Sequence, residues 1–171
     1  MPQTYLNDGA GNMGIGNNLK FLTDKAGIAG TVLATSANAG IVGEVMWSKL
    51  ISGSGLAFTN SVTRVILFLA LTAGDWDISG NLNIQLTSAT IAANQYAIAG
   101  INTATNLVTT DGTEIYLPTP TLASASTFLS LVIPPKQISI ASTTTYNLVG
   151  ALPFSAGTAV GYGSLFARRR R

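Results

Sequence analysis

Cysteine and histidine are both absent from this 171-residue chain, and each absence excludes a class of chemistry. Without cysteine there are no disulfides and no thiolate metal sites, and the redox compartment cannot be inferred. Without histidine the chain lacks the usual general base of Ser-His-Asp and Cys-His catalysis and the commonest zinc ligand. An enzyme would have to work with carboxylates, lysines and tyrosines, and the candidates among these are weak enough that we expect no enzyme activity, no metal site and no cofactor.

Charge is also scarce, because charged residues make up 9% of the chain against about 25% in typical globular proteins. The net charge is +2, and four of the nine positive charges lie at the end of the chain, at Arg168, Arg169, Arg170 and Arg171. The body without them is slightly acidic and has no basic face for nucleic acid. The arginines can contact a phosphate or an acidic partner, but we expect a solvated terminal cluster.

Long hydrophobic runs are missing as well. The longest apolar stretch, "VILFLALTAG" at residues 65–74, is far shorter than the roughly 20 residues that span a bilayer. Residues 1–8 have neither the basic start nor the apolar core of a secretory signal. The sequence thus predicts a soluble chain with no membrane partner.

The clearest pattern present is strict alternation in "DWDISGNLNIQLT", residues 75–87. Such alternation predicts a strand with one buried face. The predicted core positions on that face are Trp76, Ile78, Leu82, Ile84 and Leu86. The preceding "SVTRVILFLALT" is apolar on both faces after Arg64, which predicts a central strand covered by a second sheet or by another subunit.

Further short strands follow, separated by turn signals. "TAGD" at residues 72–75 predicts a hairpin into the Trp76 strand, and Asp111-Gly112 predicts a second hairpin turn. Pro134-Pro135 separates two predicted strands, because proline cannot donate to a ladder. About eight strands at this spacing predict an all-β, jelly-roll-like β-sandwich over residues 41–171.

The first 40 residues are rich in glycine and asparagine and show no sustained period. Gly9, Gly11 and Gly14 fit the spacing G-x-G-x-x-G, but no strand precedes them, no stable helix follows, and the expected acidic residue is missing. We interpret residues 1–40 as an extended N-terminal arm for docking, which Gly9, Gly11, Gly14 and Gly16 allow to bend.

Asp75 and Asp77 are the only closely spaced pair of carboxylates. Residues two apart on a strand lie about 6.5 to 7 Å apart on one face, a separation also found between the acids of glycosidases. A calcium loop would need a terminal glutamate that is missing here. We favour a structural role for both aspartates, because their face is otherwise polar and offers no apolar pocket to raise a pKa.

Four features of the sequence together resemble a known family. A strand entry at Gly43-Glu44, "SGSG" at 52–55, "LTAGDWDISGN" at 71–81 and a final aromatic-glycine strand ending in arginines resemble a domain of small structural proteins of tailed bacteriophages and prophages, often labelled fibre proteins. The match covers about residues 40–171. It implies a trimeric jelly-roll on a virion assembled in the bacterial cytoplasm, with no catalytic residues to carry over.

Two roles follow from the resemblance. One is an oligomeric capsid-surface decoration or short head-fibre protein, anchored to other virion proteins by its arm. The other is a tail fibre or spike that binds a host receptor or surface carbohydrate. The chain has no heptads or β-helix repeats for a shaft, which favours the capsid-surface role.

Overall fold

A computed structural model describes residue 39 and residues 42–91, 95–105, 115–119, 122–123 and 126–170. This part of the chain forms a sandwich of antiparallel strands. The glycines of the predicted arm, the predicted Asp111-Gly112 turn and Arg171 lie outside the described residues. The strands, in chain order, are β1 (Val45–Leu50), β2 (Leu56–Ala57), β3 (Arg64–Leu71), β4 (Gly74–Thr87), β5 (Thr90–Ile91), β6 (Gln95–Asn102), β7 (Ile115–Thr119), β8 (Leu122–Ala123), β9 (Ser126–Ile140), β10 (Thr144–Ala151) and β11 (Thr158–Arg169).

The eight longer strands make two sheets. The front sheet has the order β1-β11-β4-β9, with β2 attached to β11, and the back sheet has the order β3-β10-β6-β7. The short strands β5 and β8 pair separately. Eight strands in two facing sheets, with the chain crossing repeatedly between them, are the arrangement of a jelly roll. The predicted fold class is confirmed.

The core lies between the inner faces of the two sheets. Each of the five core positions on β4 is at most 1% exposed, and Leu148 of β10 packs in the same cluster from the back sheet. Full burial of one such aliphatic side chain contributes about 1.5–3 kcal/mol. Alternation on β4 therefore fixes which face of the strand joins the core.

Close approach of the sheets requires glycine at two positions, one in each sheet. A Cβ on Gly161 of β11 would lie 2.5 Å from Cε2 of Phe58, and a Cβ on Gly150 of β10 would lie 2.4 Å from Cδ2 of Leu82 on β4. Phe58 and Leu82 are buried, so they occupy the space that side chains at these two positions would need. The glycines let these two apolar side chains fill the space between the sheets.

The strand β3 differs from its prediction. It lies at the edge of the back sheet rather than at its centre, with β10 as its neighbour. The pairing with β10 shifts register opposite Leu148 and Val149, which leaves Ile66 as an extra residue on β3. This bulge turns both Ile66 and Leu67 toward the core, which explains a run without alternation.

The predicted hairpin at residues 72–75 is also wrong. The strand β3 belongs to the back sheet and β4 to the front sheet, so the two do not pair with each other. Thr72 and Ala73 instead form a corner where the chain crosses between sheets. Trp76 holds that corner, because its Nε1 donates a hydrogen bond to the carbonyl oxygen of Thr72 at 2.9 Å. A turn sequence alone does not distinguish a hairpin from a crossing between sheets.

Pro134-Pro135 does not separate two strands. The strand β9 runs through both prolines, and its pairing with β4 shifts there, because Ile78 pairs with Lys136 while Gly80 pairs with Ile133. Since β9 is an edge strand, a proline ring at an irregular position removes little pairing. One bent strand therefore replaces the two that the sequence predicts.

Candidate functional site

A buried ion pair closes the corner of the sandwich where β1 begins and β11 ends. Nε of Arg169 lies 2.8 Å from Oε2 of Glu44, and the two side chains are 5% and 8% exposed. The backbones of these residues are joined as well, because the N–H of Arg169 donates to the carbonyl oxygen of Glu44 at 2.9 Å. The pair therefore fixes the point where the chain enters the front sheet.

The same guanidinium also holds the crossing between the sheets. It donates a 2.7 Å hydrogen bond to the carbonyl oxygen of Ala73 and another to the hydroxyl of Thr72. Its Cζ lies 4.2 Å from the ring centroid of Trp76, which is a cation–π contact. We call this set, Glu44, Thr72, Ala73, Trp76 and Arg169, the arginine corner. A buried charge with this many partners has a structural role.

The prediction of a solvated terminal arginine cluster is therefore wrong at Arg169. Arg168 and Arg170 are exposed, whereas Arg169 lies between them and is buried. Alternation along β11 produces this difference, because Leu165, Ala167 and Arg169 all face inward. The alternation along β11 predicts an inward-facing side chain at position 169, but a run of consecutive arginines favours the interpretation of one exposed cluster.

The two candidate acidic residues lie beside the arginine corner. Oδ1 of Asp77 is 3.4 Å from the guanidinium of Arg170, in a pair with side chains 37% and 45% exposed. The carbonyl oxygen of Asp75 accepts a 2.8 Å hydrogen bond from the N–H of Arg170. A shallow cavity of about 460 Å³ adjoins them, lined by Asp75, Trp76, Gln137, Ile138, Ser139 and Arg170. Within the described ranges, no three acidic residues converge as a metal site would need.

The outer face of the front sheet carries a second feature. Cross-strand pairing places Lys49, Ser164 and Asn81 in one row across β1, β11 and β4, and it pairs Tyr162 with Asn83 in the next row. These rows border a groove of about 510 Å³, which we call the front groove. Its lining residues are Lys49, Leu50, Ile51, Ser52, Asn81, Asn83, Tyr162, Gly163 and Ser164.

Aromatic side chains flank the front groove on one side. Trp47 of β1 pairs directly with Phe166 of β11 in the row beyond Lys49 and Ser164. The two are 68% and 43% exposed, although large aromatic side chains usually lie in the core or in an interface. The outer face of β1 and β11 therefore combines aromatic side chains with polar ones.

The back sheet exposes a different kind of surface. Phe68 on β3 is 64% exposed, and Ala70, two residues along the same face, is exposed too. Next to Phe68 in register lies Asn147, which is buried and donates to the carbonyl oxygens of Thr103 and Ala104 at 3.2 and 3.3 Å. Among the described side chains, the back sheet thus exposes aromatic surface on its edge strand β3 at Phe68 and on β6 at Tyr96.

Neither the front groove nor the arginine corner was predicted from the sequence. Both depend on pairing between strands that are distant in the sequence. The local signal for the groove was limited to the asparagines on the exposed face of β4. Among the described residues, no helix is long and apolar enough to cross a membrane.

Comparisons with known proteins place few constraints on this chain. No family model matches it, and no curated protein matches it. Among solved structures, it is similar to a chain from the structure of infectious bursal disease virus, Gx strain, with 17% sequence identity and a TM-score of 0.39. The match covers 74% of this chain and 30% of that chain. A TM-score this low does not bear on the function of this chain.

Proposed function

We propose that this chain is a non-enzymatic structural protein of a tailed-phage virion. In this role it forms an oligomer, as a trimer, on the capsid surface as a decoration or short head-fibre protein. The arm of residues 1–40 anchors it to other virion proteins. The proposal joins the sequence resemblance to the jelly-roll fold and to one surface feature of the back sheet.

That feature is the exposed edge strand β3. Edge strands with apolar outer side chains and few charges invite pairing with another chain, and the strand carries its single charged residue, Arg64, at its start. The Arg64 guanidinium donates a 2.6 Å hydrogen bond to the carbonyl oxygen of Ala57, so it does not shield Phe68. Symmetric association would cover Phe68 and Ala70 with a neighbouring subunit.

The point where the chain enters the sandwich supports anchoring through the residues that precede it. The N–H of Gly43 donates a 2.9 Å hydrogen bond to the carbonyl oxygen of Arg169, so the chain enters the sandwich at the arginine corner. The ion pair of Glu44 with Arg169 links this entry point to β11, and Arg169 also bonds the crossing between the sheets. Both sheets would therefore resist a force applied through residues 1–40. This suits a body held to a particle by its N-terminal segment.

Co-sedimentation tests this role. Purified full-length protein is mixed in separate tubes with tail-less phage heads, isolated tails and host cells, and its mass in solution is measured by light scattering. We expect saturable binding to heads and the mass of a trimer. A variant lacking residues 1–40 should keep the trimeric mass and lose head binding. Binding to heads by that variant would contradict docking through the arm.

The front groove favours a second candidate role, a tail fibre or spike that binds a host receptor or surface carbohydrate. Exposed aromatic side chains beside hydroxyl and carboxamide groups are typical of ligand sites that fix orientation through a few polar contacts. The same three tubes separate the roles. Binding to tails and host cells, with none to heads, would replace the capsid-surface role with this one.

A further inference from the structure

The front groove combines polar and apolar side chains and is nearly free of charge. Its nine lining residues include Asn81, Asn83, Ser52 and Ser164, and none of them is a carboxylate. Lys49 is its single cation. Recognition of phosphate or carboxylate groups usually uses several charged donors, with arginine preferred for its two parallel hydrogen bonds. The groove therefore suits an uncharged ligand that both donates and accepts hydrogen bonds.

Asn81 is held in a fixed orientation within the groove. Its Oδ1 accepts hydrogen bonds from the N–H of Ser164 at 3.1 Å and from the hydroxyl of Ser164 at 2.6 Å. A backbone N–H can only donate, so these contacts assign the oxygen to that side of the carboxamide. The amide nitrogen then points away from Ser164 and can donate to a ligand without the entropic cost of ordering the side chain.

Aromatic surface lies in and beside the groove. Tyr162, Ser164 and Phe166 alternate along one face of β11, so neighbouring members are about 6.5–7 Å apart. Tyr162 lines the groove, and Phe166 with its partner Trp47 lies just beyond it. An aromatic face next to hydrogen-bonding groups matches a sugar ring, which has a flat C–H face and a rim of hydroxyls.

The location of the groove argues against a peptide ligand. Peptides that add a strand to a sheet bind at its free edge. The groove lies mainly over β11 and β4, which are interior strands of the front sheet, and it reaches the edge strand β1 only through Lys49 and Leu50. The 3₁₀ turn at Ser52–Ser54 lies at its end. A ligand over β11 and β4 contacts side chains and not a row of free backbone groups.

We propose that the front groove binds a neutral oligosaccharide, with Asn81, Asn83 and Ser164 bonding its hydroxyls and Tyr162 contacting a ring face. This inference rests on the second candidate role, because it gives the receptor a chemical class and a site. It does not depend on the subunit contact through β3, which lies in the other sheet. Glycan binding and trimer formation can therefore fail separately.

The test uses the full chain and a panel of immobilised neutral tetrasaccharides built from hexoses and 6-deoxyhexoses. The best binder is then titrated by calorimetry against four proteins at one concentration: the unaltered chain, Asn83→Ala, Tyr162→Ala and Gln137→Ala. Gln137→Ala is the matched control, because it removes an exposed carboxamide on the outer face of the front sheet outside the groove lining.

We expect Asn83→Ala and Tyr162→Ala each to weaken binding by about three- to tenfold, as the loss of one hydrogen bond or one aromatic contact does. Gln137→Ala should change the affinity by less than about twofold. Circular dichroism checks that each variant is folded. If Tyr162→Ala misfolds, Asn83→Ala still decides the question, since it removes only a short, half-exposed side chain.

Three results would overturn the proposal. The first is no binding to any panel member at millimolar concentration. The second is binding that Asn83→Ala and Gln137→Ala weaken equally, which would place the sugar elsewhere. The third is a loss of trimer mass in Asn83→Ala, measured by light scattering, because the groove would then be a subunit interface. A monomeric chain whose sugar binding follows the expected pattern would contradict the trimer and support the groove.

Discussion

The arginine corner and the outer faces of the two sheets distribute charged and apolar side chains in opposite ways. The corner buries Glu44 and Arg169, whereas the outer faces expose Trp47 and Phe68. In soluble monomers, charged side chains are usually exposed and large aromatic side chains are usually buried. The corner stabilises the sandwich, and the proposed function uses the exposed aromatic side chains for contacts with other molecules.

Removing the buried guanidinium should have the largest effect on stability. Arg169→Ala leaves Glu44 buried beside an empty site, and breaking such a pair costs about 3–5 kcal/mol. Denaturant unfolding at fixed protein concentration measures the loss of unfolding free energy, and the concentration is fixed because association also stabilises. Glu44→Gln should show a smaller loss, because the carboxamide keeps an oxygen for Nε. A loss below about 1 kcal/mol in Arg169→Ala would remove the structural role of the corner.

Replacing an exposed aromatic residue should affect association and leave stability nearly unchanged. Phe68→Ser removes a side chain whose burial in an interface would contribute about 1.5–3 kcal/mol, so the association constant should fall by about 10- to 100-fold. Sedimentation equilibrium over a dilution series measures this constant.

Phe128→Ser is the matched control for that experiment. Phe128 and Phe68 are both 64% exposed, and both lie on edge strands, but in different sheets. Phe128 is paired with the polar Gln85 in the sheet that does not contain β3, so we expect the association constant of Phe128→Ser to change by less than about twofold. Equal losses in both variants would show that exposure alone, and not β3, governs association.

The smallest effect should follow removal of the neighbouring arginine. Arg170→Ala breaks an exposed 3.4 Å pair with Asp77, and such pairs contribute about 0–1 kcal/mol. Denaturant unfolding of Arg170→Ala and Arg169→Ala under the same conditions compares the unfolding free energy that each of these adjacent arginines contributes. A loss for Arg170→Ala as large as that for Arg169→Ala would mean that the terminal arginines act as one network, and the corner would lose its special position.

Local alternation predicted the core strand correctly in position. Trp76, Ile78, Leu82, Ile84 and Leu86 alternate in sequence, and all five side chains are buried. This works because a strand sends successive side chains to opposite faces, whatever the strand pairs with. Where a bulge intervenes, as at Ile66 on β3, the pattern breaks and the same reasoning wrongly predicted a central strand.

The sites were much harder to predict than the strands. The front groove joins Lys49, Asn81 and Ser164 from three strands, and its hydrogen bonds between Asn81 and Ser164 span 83 residues. The sequence of β4 showed a polar outer face, but it could not show which side chains would lie opposite it. A site built by pairing between distant strands leaves almost no local signal.

The sequence by itself determined that this chain forms an all-β sandwich, which residues of β4 form its core, and that histidine and cysteine chemistry is excluded. Only the tertiary structure decided that residues 72–75 cross between sheets, that β9 continues through Pro134-Pro135, and that Arg169 is buried. The physical reason is the separation along the sequence of the residues that interact. Alternation acts between neighbouring residues, whereas the ion pair of Arg169 with Glu44 joins positions 125 residues apart, and its burial depends on the order in which the strands pair.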